Sequence, residues 1–354
     1  MDTQTKLPME TKNPFFGLYI YHRAKEKMEE QQDKTWTAQE IPVGKDIHDF
    51  RAIMTPTQLN LVTITLQLFV EIEQKVGEVW EKMTHWFPHS EIEGCCAEIS
   101  RMEKSVHAFF YQKMSDELNI DPEEIAKNQQ VISVLKSKLE FLQRITSDLD
   151  ANKPLSLATV ALIEQVLLFS NFAMLKSFQA NGNNLIKNTI TGVDFVVQDE
   201  TIHGNFAAYL YNTYLDEDAK GPRQIDRIQL SSDIVRLIRE IIAHEDSVID
   251  YTFPGDISIN DISAVQLKTF IRSRANDVLA MLGEDPLYDI GSNPIADWFY
   301  KGAKSIKLHD FFVSGTSQYR RNWKLDSFSR LIHTEPNQHI VDTGENKYLH
   351  EKRG

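Results

Sequence analysis

Between Val196 and Phe206 the chain sets a glutamate and a histidine in helical register inside an apolar run, and this pair limits the possible folds more than any other stretch. Read as helix, Glu200 and His203 leave one face three residues apart, among Val196, Val197, Ile202 and Phe206. A carboxylate and an imidazole then point into an apolar interior, where each needs a partner and a metal ion satisfies both at once. A single Glu-x-x-His is more often a surface glutamate beside a satisfied histidine. Three further long apolar helices, each with an acid at mid-length, shift the balance. Together they make the pattern of a four-helix bundle around a carboxylate-bridged pair of metals.

The helices have legible starts. Thr55-Pro56-Thr57-Gln58 combines an N-cap, a proline at the first helical position and a glutamine three residues after the cap, which predicts a helix from 56 to about Trp80. Its interior sets two acids, Glu71 and Glu73, beside Leu66, Leu68, Phe69 and Val70. Ser90-x-x-Glu93 opens a second helix, through His107 and Tyr111 to about Leu118. Asp121-Pro122-Glu123-Glu124 opens a third to about Asp148, and a fourth runs from near Pro154 to the Asn181-Gly182-Asn183-Asn184 turn. In the fourth, Glu164 stands alone among Val160, Ala161, Leu167, Leu168 and Phe172, so turning it outward would expose the whole apolar stripe. A fifth, 185–215, carries Glu200 and His203. Residues 232–251 and 264–282 read as amphipathic helices, with His244-Glu245-Asp246 as a solvated face. Residues 1–50 are polar and irregular and read as an arm on the main body, with Trp36 as a packing anchor. Residues 51–325 form the bundle, and 326–354 a polar, mobile tail.

A net charge of −13 removes nucleic acid from the expected partners, because no basic surface offsets phosphate repulsion. No apolar run reaches the ~18 residues of a membrane span and the N-terminus is unlike a signal peptide, so no membrane partner is expected and the cytoplasm is the expected compartment. Cys95 and Cys96 are adjacent within a helical pattern; they lack zinc-ligand spacing, cannot easily bond to each other, and read as reduced packing residues.

One acid from the first helix, one acid and His107 from the second, Glu164, and Glu200 with His203 make four carboxylates and two imidazoles. This oxygen-rich set, with one nitrogen per metal, suits iron or manganese rather than structural zinc. Such a site can activate dioxygen. Tyr111 stands one turn beyond His107, and a lining of Leu168, Phe172 and Val196 would keep solvent from an oxidised phenol, so a tyrosyl radical is chemically possible there.

Several segments occur together in a specific order and spacing: Trp36-x-x-x-Glu40-Ile41, Ile163-Glu164-x-Val166-Leu167-x-Phe169-Ser170, Asp199-Glu200-Thr201-Ile202-His203, Phe270-Ile271-x-x-Arg274-Ala275-Asn276, Leu282-Gly283-Glu284-Asp285-Pro286-Leu287-Tyr288, Asn293-Pro294, and Asp310-Phe311-Phe312 leading to Tyr319. On these residues the chain resembles, over nearly its whole length, the small, radical-generating subunit of class I ribonucleotide reductase. The resemblance implies an all-α, ferritin-like dimetal-carboxylate helical bundle, paired as a homodimer, with a dinuclear iron, manganese or mixed manganese/iron cofactor. It implies metal ligands at Glu73, His107, Glu164, Glu200 and His203, and the radical tyrosine at Tyr111. It also implies that Trp36 and Asp199 form the inner end of an electron and proton path to the large subunit. That path passes a tyrosine in the docking tail, for which Tyr348 is the candidate.

One position departs from the family's pattern. The helix-two carboxylate stands three residues before the histidine in the family, and here that residue is Lys104, with Glu103 one earlier. Positions i−3 and i−4 share a helix face, so a local π-type bulge would swing Glu103 into the ligand position, and Glu103 is the expected sixth ligand. The competing reading is an altered, metal-poor site with Lys104 facing it.

Two other functions fit a bundle of this kind. A stand-alone dimetal oxidase has no use for a transfer path or a docking tail, and ferritin-like storage would call for a shorter chain with acidic entry channels. Cys95 and Cys96 cannot supply the thiyl radical and cysteine pair that ribonucleotide reduction needs, so substrate must bind on a partner.

Overall fold

The computed structural model describes residues 6–13, 20–120, 123, 127–221, 224–255 and 257–300. They belong to one unit, Met1–Ser305; a second, Ile306–Gly354, lies outside the described residues and takes with it Asp310-Phe311-Phe312, Tyr319, the 326–354 tail and Tyr348.

Helix α1 is His22–Asp33 and α2 is Pro56–Trp86. Thr55 Oγ1 accepts from the Gln58 amide at 3.3 Å, and the Gln58 side chain accepts from the Thr55 amide at 2.9 Å, closing the capping box that the sequence signals. The helix continues past Trp80 because Met83 and Trp86 extend the buried face of Val76, Val79 and Trp80 at helical spacing. Helix α3 joins Ser90–Met102, a π-helical segment Glu103–His107, and Ala108–Glu117 without a break. Helix α4 is Gln129–Thr146, and most of the Asp121-Pro122-Glu123-Glu124 start lies outside the described residues. Helix α5 joins Lys153–Leu162, a second π-helical segment Ile163–Leu167, and Phe169–Lys176, closing with a 3-10 turn at Ser177–Gln179. Helices α6, Lys187–Lys220, and α7, Arg227–Thr252, follow. A short hairpin pairs Ile259 with Ile262 before α8, Ala264–Leu282, which stops at Gly283 in the left-handed conformation. Helix α9 is Pro294–Phe299.

Helix α5 is the most deeply buried helix at the centre of the described bundle. Contrary to the expectation that no apolar run reaches membrane-spanning length, its span Lys153–Gln179 is apolar and long enough to cross a membrane, yet the whole of its most apolar window is buried among the other helices. It packs on α6 and α2, and α2 packs on α3. Helix α1 lies against both α3 and α6 and so joins the ends of this chain of contacts. The acids foreseen at mid-helix therefore face one interior.

Two further sequence expectations change. The arm is not irregular throughout, since His22–Asp33 is helical with only Ala24 and Gln31 buried. A helix with so little apolar periodicity is supported by pairs along its surface, Lys25–Glu29 at 2.6 Å and Lys27–Glu30 and Lys34–Glu30 at 2.7 Å. The arm is also tied to α6, where Asp46 accepts from the Asn188 and Thr189 amides at 3.2 and 2.6 Å at the positive end of the helix. His244-Glu245-Asp246 is not a solvated face: Glu245 is fully buried and pairs with an equally buried Lys138 at 2.7 Å. Its charged neighbours mask this, because Asp246 answers Arg272 while Glu245, one residue back, turns inward.

Candidate metal centre

Glu73 comes from α2, Glu103 and His107 from the π segment of α3, Glu164 from the π segment of α5, and Glu200 and His203 from α6. All six are fully buried. They form two overlapping sets, Glu73, Glu103, His107 and Glu200, and Glu103, Glu164, Glu200 and His203, each with one ligating atom per residue lying within 4.8 Å of the others. The shared carboxylates divide their oxygens between the two imidazoles. Glu103 sets Oε2 3.4 Å from His107 Nδ1 and Oε1 2.7 Å from His203 Nδ1, while Glu200 sets Oε1 3.2 Å and Oε2 3.8 Å from the same two atoms. Glu103 and Glu200 would thus each offer an oxygen to both cations of a pair.

The π segment decides between Glu103 and Lys104. A π turn takes about one more residue per revolution than an α turn, so a residue four before His107 comes to face the way i−3 otherwise would, and Glu103 enters the cluster. Lys104 faces away, its ammonium paired with Glu81 and its side chain partly exposed. Gly77 lets α2 approach this distorted turn, since a Cβ there would lie 2.6 Å from Lys104 Cγ and 3.1 Å from Glu103 Cβ.

Both carboxylate oxygens of Glu73, Glu103 and Glu200, together with Glu164 Oε2 and the Nδ1 atoms of both histidines, have no hydrogen-bond partner. Unpartnered buried acids are costly, and two divalent cations would neutralise four carboxylates while using these atoms. The donor set therefore fits a pair of metals. Burial, and then the charge of Glu103, pushes the Glu73 carboxyl well above the usual range; burial and then Glu200 does the same to Glu164. Burial pulls His203 down, but its contact with Glu103 outweighs this and holds it at about 9. Near neutral pH the cluster thus holds protons that a cation must displace, so metal affinity rises with pH toward about 9 and falls as pH drops. Calorimetric titration in buffers of different ionisation enthalpy should show net proton release on metal uptake; a heat independent of buffer would contradict it.

Outside the cluster, each histidine turns Nε2 to a fixed acceptor. His107 Nε2 lies 3.0 Å from Asp199 Oδ2, which also accepts from Trp36 Nε1 at 2.9 Å. Asp199 Oδ1 accepts from Gln31 Nε2 at 2.9 Å, and Gln31 Oε1 lies 3.2 Å from His203 Nε2. Hydrogens on both Nε2 atoms leave both Nδ1 atoms free to face the carboxylates. Asp199 and Gln31 thus join the two imidazoles to each other and to Trp36. Gln31 gave no signal in the sequence, lying in the polar run Glu29-Glu30-Gln31-Gln32-Asp33. Trp80, whose Nε1 donates to Glu164 Oε1 at 2.5 Å, had one: it follows Glu73 by two helical turns on the same buried face.

Tyr111 is fully buried, its ring stacked on Phe69 at 4.6 Å, and Phe69 stacks in turn on Phe172 at 4.7 Å. Its hydroxyl has no hydrogen-bond partner, and burial, then the Glu73 charge, pushes it well above the ordinary phenol range. Leu168, Phe172 and Val196, the expected lining, are buried.

A helical bundle enclosing a carboxylate and histidine cluster able to hold metal defines the class of protein. The family model for the small chain of ribonucleotide reductase matches residues 18–294, and the chain belongs to that family. Among relatives, the probable ribonucleoside-diphosphate reductase small subunit of Invertebrate iridescent virus 3 is 23% identical over 324 residues, covering 86% of this chain and 84% of the relative. Subunit beta of ribonucleoside-diphosphate reductase 2 from Escherichia coli (strain K12) is 25% identical over 291 residues, covering 80% and 86%. The solved structures share the fold: the Rnr4 homodimer of Saccharomyces cerevisiae, with TM-score 0.69, 20% identity and coverage of 86% of this chain and 92% of that one, and the dimanganese(II)-NrdF of Streptococcus sanguinis, with TM-score 0.67, 18% identity and coverage of 83% and 99%. The protein is the small subunit of a redox enzyme that acts on ribonucleotides.

Proposed function

We propose that Glu73, Glu103, His107 and Glu200 hold one metal ion and Glu103, Glu164, Glu200 and His203 a second, as iron, manganese or one of each. When bound, such a pair supplies oxidation by dioxygen, and the residue that gives up an electron is Tyr111. Phe69 and Phe172 exclude water from its ring, and the hydroxyl has no competing hydrogen bond. Trp36, Asp199 and His107 carry an electron inward from the large subunit to the oxidised site, so that the oxidation passes outward, with Asp199 holding the proton between the imidazole and the indole. The chain ends at a large subunit that holds the substrate, reached through Tyr348 and the 326–354 tail, and this subunit pairs as a homodimer.

The observation that carries the reading is the hydrogen-bonded line from His107 through Asp199 to Trp36. A self-contained oxidase has no use for an indole tied to its ligand histidine. Metal analysis with electron paramagnetic resonance of protein loaded in air tests it: two metals per chain with a tyrosyl signal are expected, and a chain that takes up none overturns it. Removal of residues 335–354 should abolish association with the large subunit and leave folding and metal content unchanged, because the segment has too little apolar content to contribute to the core. Unchanged affinity in a pull-down or by calorimetry would move the contact to the bundle.

A further inference from the structure

The π-helical segment Ile163–Leu167 positions Glu164, and two of its carbonyls are taken by side chains of other helices. Arg274 Nε, from α8, donates to Gln165 O at 3.0 Å. Lys138 Nζ, from α4, donates to Leu167 O at 3.0 Å. The lysine also reaches Asn171 Oδ1 at 2.9 Å and Glu245 of α7 at 2.7 Å, so its three N–H bonds are matched by three groups. Glu245 accepts in addition from Ser170 Oγ at 2.5 Å. Lys138 and Glu245 are fully buried, and neither belongs to the ligand set.

A lysine and a glutamate in an apolar core are expensive, and a pair of apolar residues would serve packing as well or better. What the apolar pair would lack is the donor on Leu167 O. Side-chain donors that enter a helix ladder are a recognised cause of local distortion, and here the donor sits at the end of the π segment, where the helix returns to α form. On the other side the Gln165 side chain donates to Glu200 O at 2.5 Å, an approach that only Gly204 permits, since a Cβ there would lie 2.2 Å from Gln165 Cγ. The segment is thus held from outside by cations and from inside by α6.

We propose that the buried Lys138–Glu245 pair is a positioning device: by holding Leu167 O it keeps Ile163–Leu167 in π form and so fixes where the Glu164 carboxylate stands. The inference rests on the reading of the cluster as a metal site for its consequence, but not for its test. Trp80 Nε1 donates to Glu164 Oε1, so the indole N–H of Trp80 reports the position of that carboxylate in metal-free protein.

The experiment compares the parent with Lys138→Met and with Lys138→Met/Glu245→Leu. The single variant strands Glu245 in the core and should melt at lower temperature, whereas the double variant removes both charges and should regain much of the loss. If the pair serves stability alone, the double variant is then normal throughout. If it positions Glu164, the ¹⁵N-labelled, metal-free double variant shows the Trp80 indole resonance shifted upfield. That resonance is identified among the five tryptophans by its loss in Trp80→Phe. In the same double variant, manganese titration of the cluster loses about tenfold or more in affinity at one of two sites, the usual scale for residues that orient ligands. An unmoved Trp80 resonance overturns the proposal, as does a double variant that fails to fold, which would make the pair a general core element. A parent that binds no manganese overturns the metal reading instead, and the indole resonance still decides this one.

Discussion

Glu103→Ala is expected to empty both metal positions, while Lys104→Ala leaves them filled. The regular-helix alternative instead leaves metal content unchanged in Glu103→Ala and raises it in Lys104→Glu. Glu103 is one of two carboxylates that face both histidines, with Oε2 toward His107 and Oε1 toward His203. Its removal takes one candidate ligand from each set of four and one of the four negative charges that would compensate two cations. Residues that merely orient ligands cost about 10–100-fold in metal affinity, so loss of a bridging ligand should exceed the upper end of that range. Lys104 contributes a solvent-facing pair with Glu81, and such pairs contribute little. Metal per chain, measured after loading at fixed excess, separates the cases. Parental stoichiometry in Glu103→Ala, with increased uptake in Lys104→Glu, would return the helix to regular form.

The contrast between these neighbours shows what was legible in the sequence. Apolar periodicity predicts that α3 buries one face, and both i−3 and i−4 from His107 lie on it, so periodicity alone leaves Glu103 and Lys104 tied. A π turn breaks the tie, and its stabilising contacts come from elsewhere in the chain: the space over Gly77, and Gln74 Nε2 donating to Lys104 O at 3.2 Å. Glu164 is legible because it is an acid in an apolar run with only one inward direction, and Glu200 because it shares a helix face with His203. Glu245 is illegible for the complementary reason, since charged neighbours hide an inward-facing acid when its partner, Lys138, lies 107 residues away. Gln31 could not be found at all; a glutamine in a polar helix becomes a bridge between two histidines only once α1 lies across α3 and α6.

Tyr111→Phe should separate chemistry from architecture. The phenol ring is packed between the bundle helices and stacked on Phe69, and phenylalanine preserves that contact. The hydroxyl makes no hydrogen bond although it is fully buried, so its removal deletes an unsatisfied polar group; stability should change by no more than about 1 kcal/mol, in the direction of gain. Neither metal set includes Tyr111, and metal content should therefore match the parent. What should vanish is the tyrosyl resonance and, with it, turnover measured with the large subunit, because a phenylalanine ring cannot give up an electron and a hydroxyl proton together. The buried, unpartnered hydroxyl is already held well above the ordinary phenol range, so at neutral pH it remains protonated and its oxidation must move a proton as well as an electron. A variant that keeps parental metal content and full turnover would shift the radical to another residue or to the metals, while one that loses metal as well would make Tyr111 part of the site's architecture rather than its oxidisable group.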